Sequence, residues 1–433
     1  MDHGPVVAIV DAYATASHLA PLFRARGCAC VHVRSAPTVP AIYAASFRAE
    51  DFHADIVHSG DTHATSAAVG EFRPVAVLAG TESGVELADL LSESLGLRSN
   101  GTALSRARRD KFQMMETVKA AGLRGTEQVR ATSREELLTW FRETGERIVV
   151  KPVRSLGTDS VHFCDDAHQV AAACDAILGA RSLLAELNDA VIGQEYLHGT
   201  EYGVHTVSLD GQHHVCDIWD TQRLRANGIP DLLGGSRLLP RRGPVQDQLT
   251  DYTFAVLDAL GIRHGPATVE LRLTPDGPCL IEVGARVCGA YLPLLVRAAV
   301  GEGQLEWTTG AYLDPDGFLA RHHQGYTLRQ HAARIHMVSR QEGILERYPR
   351  LSDIRNLESF HELLVHVAPG DRLRRSVNDF TYPLSVFLLH EAEETVLRDI
   401  TALRRLDGDD FYAVRQPEPT TAVDAPHGPT DNR

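Results

Sequence analysis

The sequence predicts a mixed α/β and α+β protein made of two to four structural units. Its 433 residues are enough for several units with sizeable cores. Residues 5–100 alternate apolar runs with helical patterns, which is typical of a small parallel sheet with helices on its faces. Later segments place β-branched runs on either side of turn signals, which favours antiparallel strands. We therefore expect an N-terminal α/β domain followed by α+β units.

Composition and charge narrow the class of protein. Hydrophobic residues make up 43% and charged residues 23% of the chain, and the formal net charge of −14 argues against a general nucleic-acid surface. The start lacks a basic region before its apolar run, so we expect no signal peptide, no membrane partner and a cytoplasmic location. The seven scattered cysteines predict reduced core residues. His213 and His214 follow an Asp-Gly turn signal and are expected at the surface.

In the N-terminal unit, ligands are expected at the carboxyl ends of the strands. These ends correspond to residues 11–17 and to the loop 79–84, from which we take Glu82 as a candidate substrate contact. Neither loop has a Gly-x-Gly-x-x-Gly pattern, and a tight turn from strand to helix is the alternative interpretation of each.

A first lysine lies on a predicted helix. Residues 105–121 have helical periodicity, and Lys111 lies in the first half, beside Arg108 and Arg109. Taken in isolation, these three charges predict a solvated helix face.

A second lysine, Lys151, ends a β-branched run and precedes a loop of small residues. Such a loop lets backbone N–H groups close over phosphate oxygens, while the lysine supplies a point charge. It is not a Walker A loop, and a plain hairpin is the alternative. The loop residues of interest are Ser155, Gly157, Thr158 and Ser160.

The segment 190–220 predicts strand, connector, strand, turn and strand. Backbone groups of the connector Gln194-Glu195-Tyr196-Leu197 could meet a purine edge, and Glu201 could accept hydrogen bonds from ribose hydroxyls. Residues 222–243, rich in Arg, Gly and Pro, predict a mobile loop near the active site.

Residues 264–291 carry the strongest candidate for chemistry. Two apolar runs flank the cluster 274–277, which predicts a β-hairpin with a loop of several residues. If the hairpin is symmetric about Asp276, Glu270 faces Glu282. Two carboxylates at such a short distance destabilise the sheet unless a cation such as Mg²⁺ lies between them. Arg286 could grip an oxygen beside that metal. An ordinary exposed hairpin is the alternative.

The order of these pieces resembles the ATP-grasp superfamily, and within it the carboxylate–amine ligases that include the bacterial L-amino-acid (dipeptide) ligases. The ordered set is a lysine on a helix, a lysine before a small-residue loop, a connector with a downstream Glu, and a Glu…Glu-x-x-x-Arg hairpin. The resemblance covers nearly the whole chain. It implies a Rossmann-like domain over 1–103, a small lid subdomain over 104–190, a catalytic subdomain over 191–310 and a C-terminal α+β subdomain over 311–415. The residues 416–433 are rich in Pro, Thr and Asp, which predicts a disordered tail.

The resemblance also implies roles for individual residues. Lys111 and Lys151 hold the phosphates of ATP, and Glu270 with Glu282 bridges Mg²⁺, which Mn²⁺ can replace. Lys151 and Arg286 are catalytic, with Arg286 steadying the transferred phosphoryl group and the acyl phosphate. The other implied nucleotide contacts are the loop residues Ser155, Gly157, Thr158 and Ser160, the adenine contacts Gln194, Glu195 and Leu197, and the ribose contact Glu201.

Three positions depart from the pattern of the family. Many ATP-grasp enzymes have Asn where Gly284 stands, although the amino-acid ligases tend to have a small residue there. Relatives often have Asp in place of His205 and His in place of Thr268, which affects the substrate pocket. The substrate contacts implied are Glu82, His205, Arg286, Gly289 and Ala290.

The activity implied is ATP-dependent joining of a carboxylate, such as an amino acid or a related small acid, to an amine through an acyl phosphate. The partners are then small-molecule acids and amines, and a homodimer is expected by analogy. One alternative is an ATP-grasp carboxylase or formate-using ligase. Another is a non-catalytic nucleotide-binding regulator, in which we would expect a damaged Glu/Glu/Arg set.

Overall fold

A computed structural model describes residues 4–416, so the predicted disordered tail lies outside the described residues except for Gln416. Among these residues we find no helix with the length and apolar composition needed to cross a bilayer. All seven cysteines are buried free thiols, as expected for residues of the core.

Four strands and three helices form the N-terminal unit, and the predicted parallel sheet is confirmed. The strand order is β3-β2-β1-β4, so the loops that follow β1 and β4 meet at one edge of the sheet. Asp11, directly after β1, links this loop to the loops that follow β2 and β4. Its carboxylate accepts hydrogen bonds from the Ser35 amide (2.9 Å) and the Ser83 hydroxyl (2.5 Å). The elements are β1 (Val6–Val10), α1 (Leu19–Ala25), β2 (Ala29–Arg34), β3 (Ala54–Val57), α2 (Thr62–Gly70), β4 (Ala76–Ala79) and α3 (Val85–Ser94).

The next unit is a four-stranded antiparallel sheet of order β5-β8-β6-β7. Its helix α4 begins at Lys111, later than predicted, because the Asp110 carboxylate caps it and accepts from the amides of Phe112 and Gln113. The predicted boundary at 190 leaves out β8, a central strand of this sheet, so the sheet ends after Glu195. The elements are α4 (Lys111–Ala120), β5 (Gln128–Ala131), α5 (Arg134–Thr144), β6 (Ile148–Pro152), β7 (His162–Cys164), α6 (Ala167–Ile177) and β8 (Val191–Glu195).

An eight-stranded antiparallel sheet of order β13-β12-β9-β10-β11-β14-β18-β16 dominates the rest of the chain. It continues across the predicted boundary at 310, because β14, β18 and β16 extend it. A three-stranded sheet of order β17-β15-β19 lies beside it. The elements are β9 (Thr200–Leu209), β10 (Gln212–Ala226), β11 (Ile229–Leu238), α7 (Pro244–Ala259), β12 (Gly265–Thr274), β13 (Gly277–Gly284), α8 (Leu292–Val300), α9 (Gln304–Leu313), α10 (Pro315–Arg321), β14 (His331–Met337), β15 (Gly343–Arg347), α11 (Leu351–Arg355), β16 (Phe360–Val365), β17 (Arg372–Leu373), β18 (Leu384–His390), α12 (Glu393–Leu406) and β19 (Ala413–Arg415).

The prediction of a mobile loop over 222–243 is wrong. Strands β10 and β11 run through this segment and pair up to Ala226 and Ile229. Between these two residues lie Asn227 and Gly228, both with positive φ (51° and 82°), which is the backbone that a two-residue hairpin turn requires.

The prediction that His213 and His214 lie at the surface is also wrong, since both are buried. The His213 ring hydrogen-bonds to Ser208 (2.7 Å). The ring of His214 stacks on Trp307 with 3.6 Å between centroids. The His213 ring also lies 5.2 Å from the ring centroid of Phe254, so residues distant in the sequence cover both rings.

Candidate active site

The predicted carboxylate hairpin is present, and its register brings the two glutamates together. Strands β12 and β13 are antiparallel, and Glu270 is the direct partner of Glu282. The turn is tighter than predicted, because Thr274 already pairs with Gly277. The Glu270 side chain makes no hydrogen bond or ion pair within residues 4–416. Burial and the neighbouring Glu282 raise the pKa of Glu270 to about 8.

Both predicted lysines lie beside this pair. Lys111 contacts Glu282, with 2.9 Å between Nζ and Oε2, and donates a hydrogen bond to the Ser155 carbonyl (3.2 Å). Burial alone would raise the pKa of Glu282, but Lys111 and Lys151 lower it below its usual value. Lys151 is 4% exposed, and its burial lowers its pKa to about 8 against the attraction of Glu282. The two carboxylates of the hairpin therefore differ in pKa, because Lys111 contacts Glu282 and no cation contacts Glu270 within residues 4–416.

The solvated face expected around Lys111 is absent. Arg108 is fully buried and pairs with Asp89 (2.9 Å). Arg109 is 3% exposed and Lys111 8% exposed. The helix start faces the interior because acidic residues from other units neutralise each of these cations.

The small-residue loop after Lys151 reaches the C-terminal part of the chain. The Asp379 amide donates to the Thr158 hydroxyl (2.8 Å), and the positive φ of Gly157 (57°) suits glycine. Ser160 also has a positive φ (56°), and the Ser155 hydroxyl is buried without a partner among the described residues. The loop therefore connects the strand that ends at Lys151 and Pro152 with the C-terminal part of the chain.

The connector begins at the end of β8, and Glu201 lies on β9, two positions before Gly203, which is the partner of Glu270. Gln194 donates through Nε2 to the Thr126 hydroxyl. Glu195 accepts from the Glu127 amide (3.0 Å), and the Leu197 carbonyl accepts from Arg272 (2.6 Å).

Two arginines hold the carboxylate of Glu201. Arg272 donates to its Oε2 (3.2 Å), and Arg223 donates to its Oε1. Because a carboxylate has about four acceptor positions, Glu201 keeps capacity for further donors.

Glu82 links the N-terminal unit to Arg286. Its Oε2 accepts from Arg286 Nε at 3.1 Å, and its Oε1 accepts from Arg109 at 3.1 Å. A Cβ atom at Gly284 would lie 3.0 Å from Arg286 Cζ and 3.1 Å from Glu82 Oε2. The small residue at position 284 thus leaves room for this ion pair.

The remaining predicted substrate contacts differ in exposure. His205 is 3% exposed and pairs with Asp217, which together with Cys288 raises the pKa of His205 well above its usual value despite burial. Gly289 and Ala290 are half-buried, and Ala290 has a positive φ of 61°. The backbone of the segment after Arg286 therefore turns sharply at Ala290.

Comparison with known proteins identifies the family. A model of the ATP-grasp domain matches residues 144–293. Dapdiamide A synthase of Enterobacter agglomerans is 30% identical over 418 residues, which cover 95% of this chain and 98% of the relative. The chain belongs to the ATP-grasp ligases.

Solved structures agree in fold. The L-amino acid ligase from Bacillus licheniformis aligns with a TM-score of 0.73 at 17% identity, covering 96% of this chain and all of that one. An ADP complex of N5-carboxyaminoimidazole ribonucleotide synthetase aligns at 0.65 and 16% identity over 93% of this chain and 97% of that one.

This protein is thus an ATP-grasp carboxylate–amine ligase that forms amide bonds with small-molecule substrates. ATP and Mg²⁺ are typical cofactors of the family. The Glu270 and Glu282 carboxylates are hard oxygen donors that suit Mg²⁺. No group of three or more His, Cys, Asp or Glu side chains within residues 4–416 forms a metal cage.

Sequence reasoning missed the arginines that support the ATP-grasp site. Arg109 contacts both Glu82 (3.1 Å) and Glu186 (3.0 Å), and Arg223 donates to Glu201. The sequence separations in these contacts are 27, 77 and 22 residues. No local pattern could have identified the partners.

Proposed function

We propose that the enzyme activates a small carboxylic acid, an amino acid or a related acid, as an acyl phosphate and transfers the acyl group to an amine with release of ADP and phosphate. The observation that carries this proposal is the Glu270–Glu282 pair with Lys111, Lys151 and Arg286 around it. The names of two similar proteins, an L-amino acid ligase and a dapdiamide synthase, support an amino-acid type of substrate.

In this proposal the nucleotide lies between the four-stranded and the eight-stranded sheets. Lys111 and Lys151 bind its phosphates, and the loop 155–160 closes over them with backbone N–H groups. The adenine meets the connector at Gln194, Glu195 and Leu197, and the ribose meets Glu201. The two arginines on Glu201 support this assignment, because they fix the carboxylate before the ribose arrives.

The first chemical step breaks the bond between the γ-phosphorus and ADP. An oxygen of the substrate carboxylate attacks that phosphorus, and Arg286 with the two lysines stabilises the negative charge on the transferred group. Glu270 and Glu282 would hold Mg²⁺, which when bound supplies charge neutralisation to the phosphates.

In the second step the amine nitrogen attacks the acyl carbon. The nitrogen loses a proton to solvent, the tetrahedral intermediate collapses, the bond from carbon to the phosphate oxygen breaks, and phosphate leaves. Arg286 or backbone N–H groups near Gly289 would stabilise the oxyanion.

We also propose that Mn²⁺ can replace Mg²⁺, that the enzyme forms a homodimer and that it works in the cytoplasm.

ATP binding should weaken as the pH rises through the pKa of Lys151. This pKa is lowered to about 8, so the ammonium charge is present below that pH and is lost above it in the ATP-free protein. Bound phosphates favour the charged form, so the affinity should fall above pH 8 by at most about tenfold per pH unit. Equilibrium ATP binding at pH 7 and pH 9 measures the effect.

Two substitutions at Lys151 act as controls for this pH dependence. Lys151→Arg keeps its charge at both pH 7 and pH 9 and should remove the part of the decline in ATP affinity that Lys151 causes. Lys151→Ala should bind ATP weakly at both values without changing the order of preference among acids. An equal decline in the Lys151→Arg variant would show that another group is responsible.

The acyl phosphate can be tested by trapping. With ATP, Mg²⁺ and a panel of amino acids and small acids but no amine, added hydroxylamine should yield a hydroxamate, with ADP and phosphate as products. Mass spectrometry identifies the acid that reacts. Formation of AMP and pyrophosphate would overturn the mechanism, whereas ADP and phosphate without any hydroxamate would favour a carboxylase.

A further inference from the structure

Arg286 is the first member of a series of four side chains with alternating charge. Its Nε atom donates to Glu82 Oε2 at 3.1 Å, and Glu82 Oε1 accepts from Arg109 Nη1 at 3.1 Å. Arg109 in turn donates through Nη2 to Glu186 Oε1 at 3.0 Å. This ion-pair series connects the loop after β13, the loop after β4, the residues just before α4 and the loop before β8.

The two inner members of the ion-pair series are buried, and each is shared between two partners. The Arg109 side chain is 2% exposed and the Glu82 side chain 9%. Burial alone would lower the pKa of Arg109, but Glu82 and Glu186 raise it above its usual value. Because each inner side chain divides its polar atoms between two partners, the loss of one partner changes the contact with the other.

Arg109 uses the two ends of its guanidinium for two different carboxylates. Nη1 and Nη2 form a planar fork that can also grip both oxygens of one carboxylate. While Glu186 holds Nη2, Arg109 contacts only Oε1 of Glu82, and Oε2 is left to Arg286. Without Glu186, both Nη atoms can turn to Glu82 and draw Oε2 away from Arg286. Glu186 therefore influences the orientation of Arg286 without touching it.

Glu186 lies in a short loop between α6 and β8, residues 179–188, which we call the strap. The strap folds on itself. Arg181 and Leu187 form an antiparallel bridge between its two arms, and the Ser182 amide donates to the Glu186 carbonyl (2.9 Å). These contacts fix the backbone from which the Glu186 side chain reaches Arg109.

The strap also contacts the loop 155–160. The Leu183 amide donates to Asp159 Oδ2 at 3.0 Å. Leu184 is buried in an apolar cluster against which Leu156 packs. In the proposed function the loop 155–160 closes over the phosphates of ATP. The strap therefore joins that loop to the ion-pair series through contiguous contacts.

We propose that Glu186 and Arg109 are positioning residues, which orient Arg286 through Glu82 for phosphoryl transfer while the strap rests on the loop 155–160. This inference rests on the ligase function proposed above. The Glu186 side chain is 36% exposed, so its ion pair contributes little to folding stability. A catalytic effect of its substitution can therefore be separated from unfolding.

The first variant is Glu186→Ala, assayed by hydroxamate formation and by phosphate release. Its kcat should fall by roughly 10- to 50-fold and its KM for ATP should stay within about twofold, because the lysines that bind the phosphates are untouched. Glu186→Gln should recover part of the loss, since its side-chain oxygen still accepts a hydrogen bond from Arg109. The midpoint of thermal unfolding should stay within about 2 °C of wild type.

A double-mutant cycle shows whether Glu186 acts through Glu82. Glu82→Gln lowers the activity by itself, because an amide offers only one acceptor oxygen to the two arginines. Adding Glu186→Ala to this variant should change kcat by less than about twofold, since the contact that Glu186 maintains is already lost.

Glu86→Ala is the matched control. Glu86 lies on α3 and is 40% exposed, and it pairs at 3.2 Å with Arg154 in the loop after β6. Within residues 4–416 its side chain makes no hydrogen bond to Glu82 or Arg286. The ion pair thus also joins the N-terminal unit to a neighbouring loop, and its loss should change kcat by less than about twofold.

A wild-type kcat in Glu186→Ala, or an equal loss in Glu86→Ala, would overturn the inference. A full additional loss in the Glu82→Gln background would also overturn it, because Glu186 would then act independently of Glu82. If wild type released phosphate without any hydroxamate, the ligase function would fail, while phosphate release would still compare the variants. Absence of both products with wild type would overturn the proposed function and this inference together.

Discussion

Glu282→Gln should reduce turnover by on the order of 10³-fold while leaving the fold intact. The amide has the volume of the carboxylate and can still accept a hydrogen bond from Lys111, which lies 2.9 Å from Oε2. It removes one of the two charges that would hold Mg²⁺. Phosphate release and hydroxamate formation at saturating Mg²⁺ measure the loss, and thermal unfolding checks the fold.

The matched control is Glu362→Gln. Glu362 lies on β16 of the same sheet and is exposed, so its substitution should leave the turnover unchanged. Phosphate release at the wild-type rate in the Glu282→Gln variant would rule out a metal role for this residue.

The Glu270–Glu282 pairing was predicted from a hairpin symmetric about Asp276, but the turn alone does not produce it. With Thr274 paired to Gly277, regular pairing would place Glu270 opposite Ile281, and a bulge between Glu270 and Leu271 shifts the register so that Glu270 meets Glu282. Sequence reasoning found Lys111, Lys151 and Arg286 only as members of an ordered set, because each lies on a different element. Their contact depends on how the two sheets pack.

Sequence reasoning failed where residues serve contacts that are distant in the sequence. The glycines of 222–243 resemble a flexible loop, yet a Cβ atom at Gly235 would lie 2.5 Å from the Arg334 carbonyl oxygen. Gly235 therefore allows β11 to approach β14 closely. Arg108, Arg109 and His214 are similar cases, because their charge or polarity predicts exposure while partners that bury them lie far away in the sequence.

Arg286→Met should lower kcat by roughly 10³-fold with little change in the KM for ATP. The physical reason is that Glu82 fixes the guanidinium through Nε (3.1 Å), which orients its remaining donors, whereas the lysines already bind the phosphates. Hydroxamate formation should fall equally, since the lost stabilisation belongs to the phosphoryl transfer. Arg286→Lys should recover little activity, because an ammonium cannot make the paired, planar contacts of a guanidinium.

Arg297→Met serves as the control for this loss of an arginine. Arg297 is 57% exposed, lies eleven positions further along the chain and pairs with Glu306 at 3.6 Å, so its loss should change kcat by less than about twofold. If Arg286→Met formed the hydroxamate at the wild-type rate but no longer joined the amine, Arg286 would act only in the second step. The Glu82–Arg286 contact would then position the guanidinium to stabilise the oxyanion of the tetrahedral intermediate.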